Sequence, residues 1–132
     1  MAILNKLITI MPAFGAPTEY VTLLGQAVVN TATTTNYVLT GFINFVRSGR
    51  VRFKIIPPAG AAGQITAITI TATDGTTTVT LYQDAVARTA GTNLDFLYSF
   101  ISDLNLTTVT IAVTTAAAGA ASTADVEITG NP

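Results

Sequence analysis

Ile65 to Gln83, ITAITITATDGTTTVTLYQ, leaves few folds open to this chain. Apolar and threonine residues alternate on both sides of Asp74-Gly75. Asp-Gly between alternating runs is a strong hairpin signal, because the central residues of a type I′ turn need positive φ. With Asp74 and Gly75 at the turn centre, Thr73 faces Thr76, Ile70 faces Val79 and Ile68 faces Leu81. Thr71 with Thr78 and Thr69 with Thr80 then fall on the opposite face. A slip of one residue would send the apolar row to solvent, so a sheet with one buried face is specified here.

The remaining segments read as further short strands. In Arg50 to Ile56, Val51, Phe53 and Ile55 point one way and Arg50, Arg52 and Lys54 the other. Leu106 to Thr115 places Val109, Ile111 and Val113 on one face, and Ala124 to Thr129 places Val126 and Ile128 inward. Tyr37 to Val46 reads as a strand with a bulge or close approach at Gly41, followed by a Ser48-Gly49 turn. Leu94 to Ile101 reads as a strand more than a helix, with a turn over Ser102 to Asn105. Tyr20 to Val29 reads as a short strand or the end of an arm. Asn30 to Thr35 and Asp84 to Asn93 read as loops, and Pro57-Pro58 ends the strand before a small-residue loop at Ala59 to Gly63. The sum is about seven or eight strands and no long helix. That predicts an all-β chain, an antiparallel β-sandwich of jelly-roll or immunoglobulin-like type.

The N-terminus differs in kind. Met1 to Met11, MAILNKLITIM, is apolar with one lysine, and Pro12 to Pro17, PAFGAP, is rich in helix and strand breakers. The run is shorter than the roughly 17–25 apolar residues that span a bilayer. As a signal peptide it is poorly formed, because Lys6 interrupts the apolar run instead of preceding it. Residues 1–17 therefore read as arm and hinge, and residues 18–132 as a single sandwich domain. Ile3, Leu4, Leu7, Ile8, Ile10 and Met11 are the arm's candidate partner-binding residues; a strand covering its own domain is the alternative.

Composition bears on function chiefly by exclusion. Histidine and cysteine are absent, which removes the commonest general base, the commonest metal ligand, disulfides and thiolate sites together. Ser48, Ser99, Ser102 and Ser122 have no histidine to activate them and no Gly-x-Ser-x-Gly elbow. The Gly-rich stretch at 59–63 lacks the lysine of a phosphate loop. The seven acids lack calcium-loop spacing. Asp74 belongs to a turn, Asp103 caps another, and Asp125 with Glu127 shares an outer strand face. No enzyme, cofactor or metal site is expected. The sequon Asn105-Leu106-Thr107 is read as chance.

A net charge of −1 gives no general attraction to nucleic acid or to anionic lipid. Charged residues are only 10% of the chain, against roughly 25% in ordinary soluble domains, and mean hydropathy is +0.54. Either threonine supplies the polar surface or much of the surface is covered by other subunits. Four of the six cations, Arg47, Arg50, Arg52 and Lys54, lie close together and form the second candidate partner-binding face, toward an acidic neighbour. A solvated, edge-protecting strand face is the alternative. Nucleic acid fits less well, because Phe42, Phe45 and Phe53 sit at positions read as core and stacking needs exposed rings.

An apolar arm over Met1–Met11, a hinge over Pro12–Pro17 and an all-β domain with no cysteine and few charges resembles, in general plan, the small capsid decoration (cement) proteins of tailed bacteriophages. The resemblance implies a virion structural protein on the capsid surface, made in the host cytoplasm. It also implies a homo-oligomer, with a trimer favoured, and the major capsid protein as partner, bound over joints between its subunits. It implies no direct nucleic-acid or membrane contact, and no diagnostic motif carries over to single residues. Two other readings stay open: a subunit of a surface filament whose apolar run donates a strand to its neighbour, and a jelly-roll carbohydrate-binding module of a phage fibre.

Overall fold

The computed structural model describes residues 18–29, 31–56, 64–89, 94–116 and 122–132. The strands are β1 (Glu19–Val28), β2 (Thr33–Leu39), β3 (Val46–Ile56), β4 (Gln64–Thr73), β5 (Thr78–Asp84), β6 (Arg88–Thr89), β7 (Asp95–Leu106), β8 (Thr108–Ala116) and β9 (Ser122–Asn131). One sheet has the order β1-β9-β3-β7 and the other β2-β8-β4-β5, with the two-residue β6 also paired to β4. All pairings are antiparallel.

The all-β sandwich expected from the sequence is the fold, and its strand order identifies the type. Only β4 and β5 are consecutive strands paired within one sheet; at most other connections the chain crosses to the opposite sheet. An immunoglobulin-like sandwich pairs several consecutive strands. Alternation between two sheets in this order is the jelly roll, here with the short β6 added to the second sheet.

The core is the set of inward residues set by period-two alternation. On β8, Val109, Ile111 and Val113 are buried; on β3, Val51, Phe53 and Ile55; on β9, Ala124, Val126 and Ile128; on β4, Ile65, Ile68, Ile70 and Ala72. These side chains meet between the two sheets, and at roughly 1.5–3 kcal/mol for each large one they hold the sandwich together. Along one open side, between edge strands β5 and β7, aromatic rings close the gap. Tyr82 packs against Phe96 at 5.2 Å and Tyr98 at 5.0 Å, and the Tyr98 hydroxyl donates to the Leu81 carbonyl at 2.8 Å.

Several local readings are corrected. The central hairpin exists, but its loop is longer: Thr73 pairs with Thr78, Ala72 with Val79, Ile70 with Tyr82 and Ile68 with Asp84. The cause is the Asp74 carboxylate, which accepts the amides of Thr76 at 2.9 Å and Thr77 at 2.7 Å and so wraps two more residues into the turn. A register shift between Ile70 and Thr71 then leaves Leu81 and Tyr82 both half-buried. Tyr37 to Val46 is not one strand. It divides between β2 and β3 in different sheets, and Gly41, at φ 91°, lies in the crossover. Ser48-Gly49 and Ser102–Asn105 are not turns but lie within β3 and β7, so Asp103 caps nothing and stands exposed on a strand. Thr33–Thr35 belongs to β2, and Arg88–Thr89 forms β6 in a stretch read as loop. The arm and hinge, and the loop at 59–63, lie outside the described residues.

Candidate functional site

The outer faces of the two sheets differ in chemistry. On the four-stranded sheet, register brings outward residues into cross-strand rows. One row is Tyr20, Thr129, Arg50 and Ser99; the next is Thr22, Glu127, Arg52 and Leu97; Lys54 follows, set between Asp125 and Asp95. Directly opposed residues in antiparallel strands have Cβ atoms about 4.5–5.5 Å apart, so each row is a continuous strip of side chains.

Arg50, Arg52, Leu97, Glu127 and Thr129 line an open groove of about 230 Å³ on this face. Its polar groups are unequally engaged. Arg52 holds Asp95 in a forked pair, Nε to Oδ1 at 2.8 Å and Nη2 to Oδ2 at 2.6 Å. That hydrogen bonding keeps the Asp95 carboxyl below the usual carboxylate range. Both side chains are about a third exposed, so solvent screens the pair and it orders Arg52 more than it stabilises the fold. Asp125 accepts the amide of Gly25, at φ 63° beside an irregularity in β1, at 2.9 Å. Glu127 accepts a long hydrogen bond from the Tyr20 hydroxyl at 3.5 Å. Arg50 has neither ion pair nor hydrogen bond among the described residues. Tyr20, 59% exposed, stands beside the groove on β1.

The opposite face, on β2, β8, β4 and β5, is uncharged. Its rows carry Thr34 with Thr114; Asn36, Ala112, Thr69 and Gln83; Val38, Thr110, Thr71 and Thr80; and Thr108, Thr73 and Thr78. Hydroxyls pair across strands, Thr34 to Thr114 at 2.8 Å and Thr40 to Thr108 at 3.4 Å. Threonine suits such a surface, because its branched Cβ favours the strand while methyl and hydroxyl both stay exposed.

Of the sequence candidates, Arg50, Arg52 and Lys54 share one face as their alternation predicts, but three acids, Asp95, Asp125 and Glu127, are interleaved with them. Arg47 stands apart at the β3 irregularity, where its Nε donates to Asn105 at 2.7 Å and its guanidinium lies over Phe45 at 6.0 Å. Phe53 is fully buried, while Phe42 and Phe45 are half-buried. The arm residues Ile3 to Met11 lie outside the described residues. Sequence reasoning missed Tyr20, Leu97 and Thr129 as groove neighbours. Each obeys its own strand's alternation, but no local signal pairs β1 with β9 or β9 with β3. Among the described residues, no cluster of three acids is placed to hold a metal ion.

No protein-family profile matches the chain, and no curated protein matches it. Among solved structures, one described as "CBM4 structure and function" superimposes with a TM-score of 0.35 and 12% identity, over 89% of this chain and 79% of that one. A likeness at that score carries no argument about ligand or role.

Proposed function

We propose that this jelly roll is a non-catalytic structural subunit of a virion, a decoration protein that sits over joints between major capsid subunits. One observation carries the reading: the outer face of β2, β8, β4 and β5 is a threonine sheet without charge, while the opposite face bears interleaved, partly paired ions. Charge depletion is what distinguishes the buried centre of an interface from ordinary surface. Copies of the chain pack through this face into the oligomer. With strands about 4.8 Å apart and roughly 3.4 Å of rise per residue, the face covers on the order of 500 Å². A stable pair buries about 800 Å² per partner, so the apolar arm Met1–Met11 supplies the rest.

The test is sedimentation of the full chain beside a Thr71→Lys, Thr110→Lys variant. The wild type is expected to be an oligomer and the variant a folded monomer. A wild-type chain that is monomeric at every concentration, and that adds no thermal stability to capsid shells, overturns the proposal.

A second reading, a jelly-roll carbohydrate-binding module, is favoured by the groove, whose donors and acceptor lie beside an exposed tyrosine ring. It uses the other face and is compatible with the first.

A further inference from the structure

Of the charged groups lining the groove, the Arg50 guanidinium is unpaired among the described residues and Glu127 is held there only by one long hydrogen bond. Arg52 is occupied by Asp95, and Lys54 stands between Asp95 and Asp125. Arg50 is flanked in its own row only by the hydroxyl residues Thr129 and Ser99, then by Tyr20. Glu127 is one row away, lightly held by the Tyr20 hydroxyl. An unpaired guanidinium is a forked donor matched to a carboxylate. A carboxylate such as Glu127, a few ångströms along the same groove, accepts from ligand hydroxyls and repels a second negative charge. Leu97 and the Tyr20 ring add exposed apolar surface next to these polar groups. The groove, at about 230 Å³, is smaller than the roughly 300–1,000 Å³ of sites that enclose drug-sized ligands, so it admits one ring.

We propose that this groove binds a carboxylated pyranose, a uronic or sialic acid unit of a glycan. Its carboxylate is held by Arg50, its hydroxyls by Glu127 and Thr129, and its C–H face lies against the Tyr20 ring. The proposal rests on the carbohydrate-binding reading and names its ligand class. One carboxylate, several hydroxyls and an apolar ring face match what the groove offers. A phosphate or a polyanion would meet Glu127 without a second free cation in the groove. Arg52, whose Nε and Nη2 are already held by Asp95, serves as a wall of the groove.

Calorimetric titration of the full chain with galacturonic acid oligomers, sialyllactose, neutral galactose oligomers and dextran sulfate tests this. The carboxylated sugars are expected to bind. Arg50→Gln should weaken them tenfold or more, because it removes the charge-assisted hydrogen bonds to the ligand carboxylate. Glu127→Gln and Tyr20→Ala should each weaken binding less, and circular dichroism should show all three variants folded. Equal affinity for neutral and carboxylated sugars overturns the Arg50 assignment and leaves the carbohydrate-binding reading standing. Binding of neither overturns both. Dextran sulfate binding as well as galacturonate, or an Arg50→Gln variant with wild-type affinity, also overturns the proposed site.

Discussion

Gly49 on β3 and Gly130 on β9 oppose each other directly, and neither has room for a side chain. A Cβ on Gly49 would collide with the Thr129 carbonyl oxygen and stand 2.8 Å from the Gly130 Cα. One on Gly130 would stand 2.5 Å from Val46 Cγ1, a fully buried side chain. The close approach brings β3 and β9 together at the Arg50 end of the groove. Gly49→Ala should lower stability by about 1–3 kcal/mol, as overpacking does, with Gly130→Ala at the lower end because a side chain yields more readily than backbone. Chemical denaturation of the two variants checks the order.

That pair also explains where sequence reasoning stopped. A glycine between Ser48 and Arg50 is equally compatible with a turn and with a tight backbone contact, and the contact is to a strand some eighty residues later. The same limit applies to Ser102–Asn105. Its polar residues read as a turn, yet they continue β7 past the β3 irregularity between Val46 and Ser48. Fold class was legible because the inward rows on β3, β4, β8 and β9 are locally encoded by alternation. The rows of the groove were not legible, because they depend on which strands become neighbours. Of its five lining residues, alternation within a strand could unite Arg50 with Arg52 and Glu127 with Thr129, but could not bring the two pairs together or add Leu97 to them.

Glu19 is a buried acid, 6% exposed, and both its oxygens are used: Ile43 N–H donates to one at 3.0 Å and Asn44 N–H to the other at 3.0 Å. It ties the start of β1 to the crossover between β2 and β3, which otherwise presents Ile43 to solvent. Glu19→Ala should lower stability by about 1.5–3 kcal/mol, and Glu19→Gln, which keeps one acceptor oxygen, by less. Amide exchange at Ile43 and Asn44 should quicken in step. Unchanged protection of both amides in Glu19→Ala would show that the crossover is held by other contacts.

At the hairpin, the positive φ falls at Gly75, 98°, and no atom outside its chain neighbours lies within 4 Å of a Cβ built there. The penalty for a side chain is thus conformational alone. Gly75→Val should lower stability by about 1–2 kcal/mol. Asp74→Ala should lower it by a different route, through the released amides of Thr76 and Thr77. Those hydrogen bonds hold the Asp74 carboxyl below its ordinary range, so the difference between Asp74→Ala and wild type should shrink as pH falls below about 4. Thermal melts at pH 7 and pH 3 separate the two mechanisms, since the Gly75→Val difference should not move.

The Asp84 cluster makes the sharpest pH prediction. Arg88 donates to both Asp84 oxygens, the Tyr82 hydroxyl donates to Oδ2, and the Arg88 guanidinium lies over the Phe96 ring at 5.3 Å. Asp84 and Arg88 side chains are only 12% and 16% exposed, so solvent screens this pair far less than Arg52–Asp95. Hydrogen bonding by Arg88 first, then by Tyr82 and the Val86 amide, holds the Asp84 carboxyl well below the usual carboxylate range. A carboxyl depressed in the folded state contributes stability that is present above its unfolded value, about 3.9, and is lost as pH falls toward the folded value. Wild-type stability should therefore decline from about pH 5 downward. Asp84→Asn should be less stable at pH 7 by about 1.5–3 kcal/mol, and should decline less between pH 5 and pH 2, keeping the slope from Asp74 and Asp95. Because Tyr82 packs on Phe96 and Tyr98 at the side where the sheets meet, the loss should register in tyrosine near-ultraviolet circular dichroism before the far-ultraviolet strand signal. Parallel pH profiles for wild type and Asp84→Asn would mean that the ion pair does not fasten this edge of the sandwich.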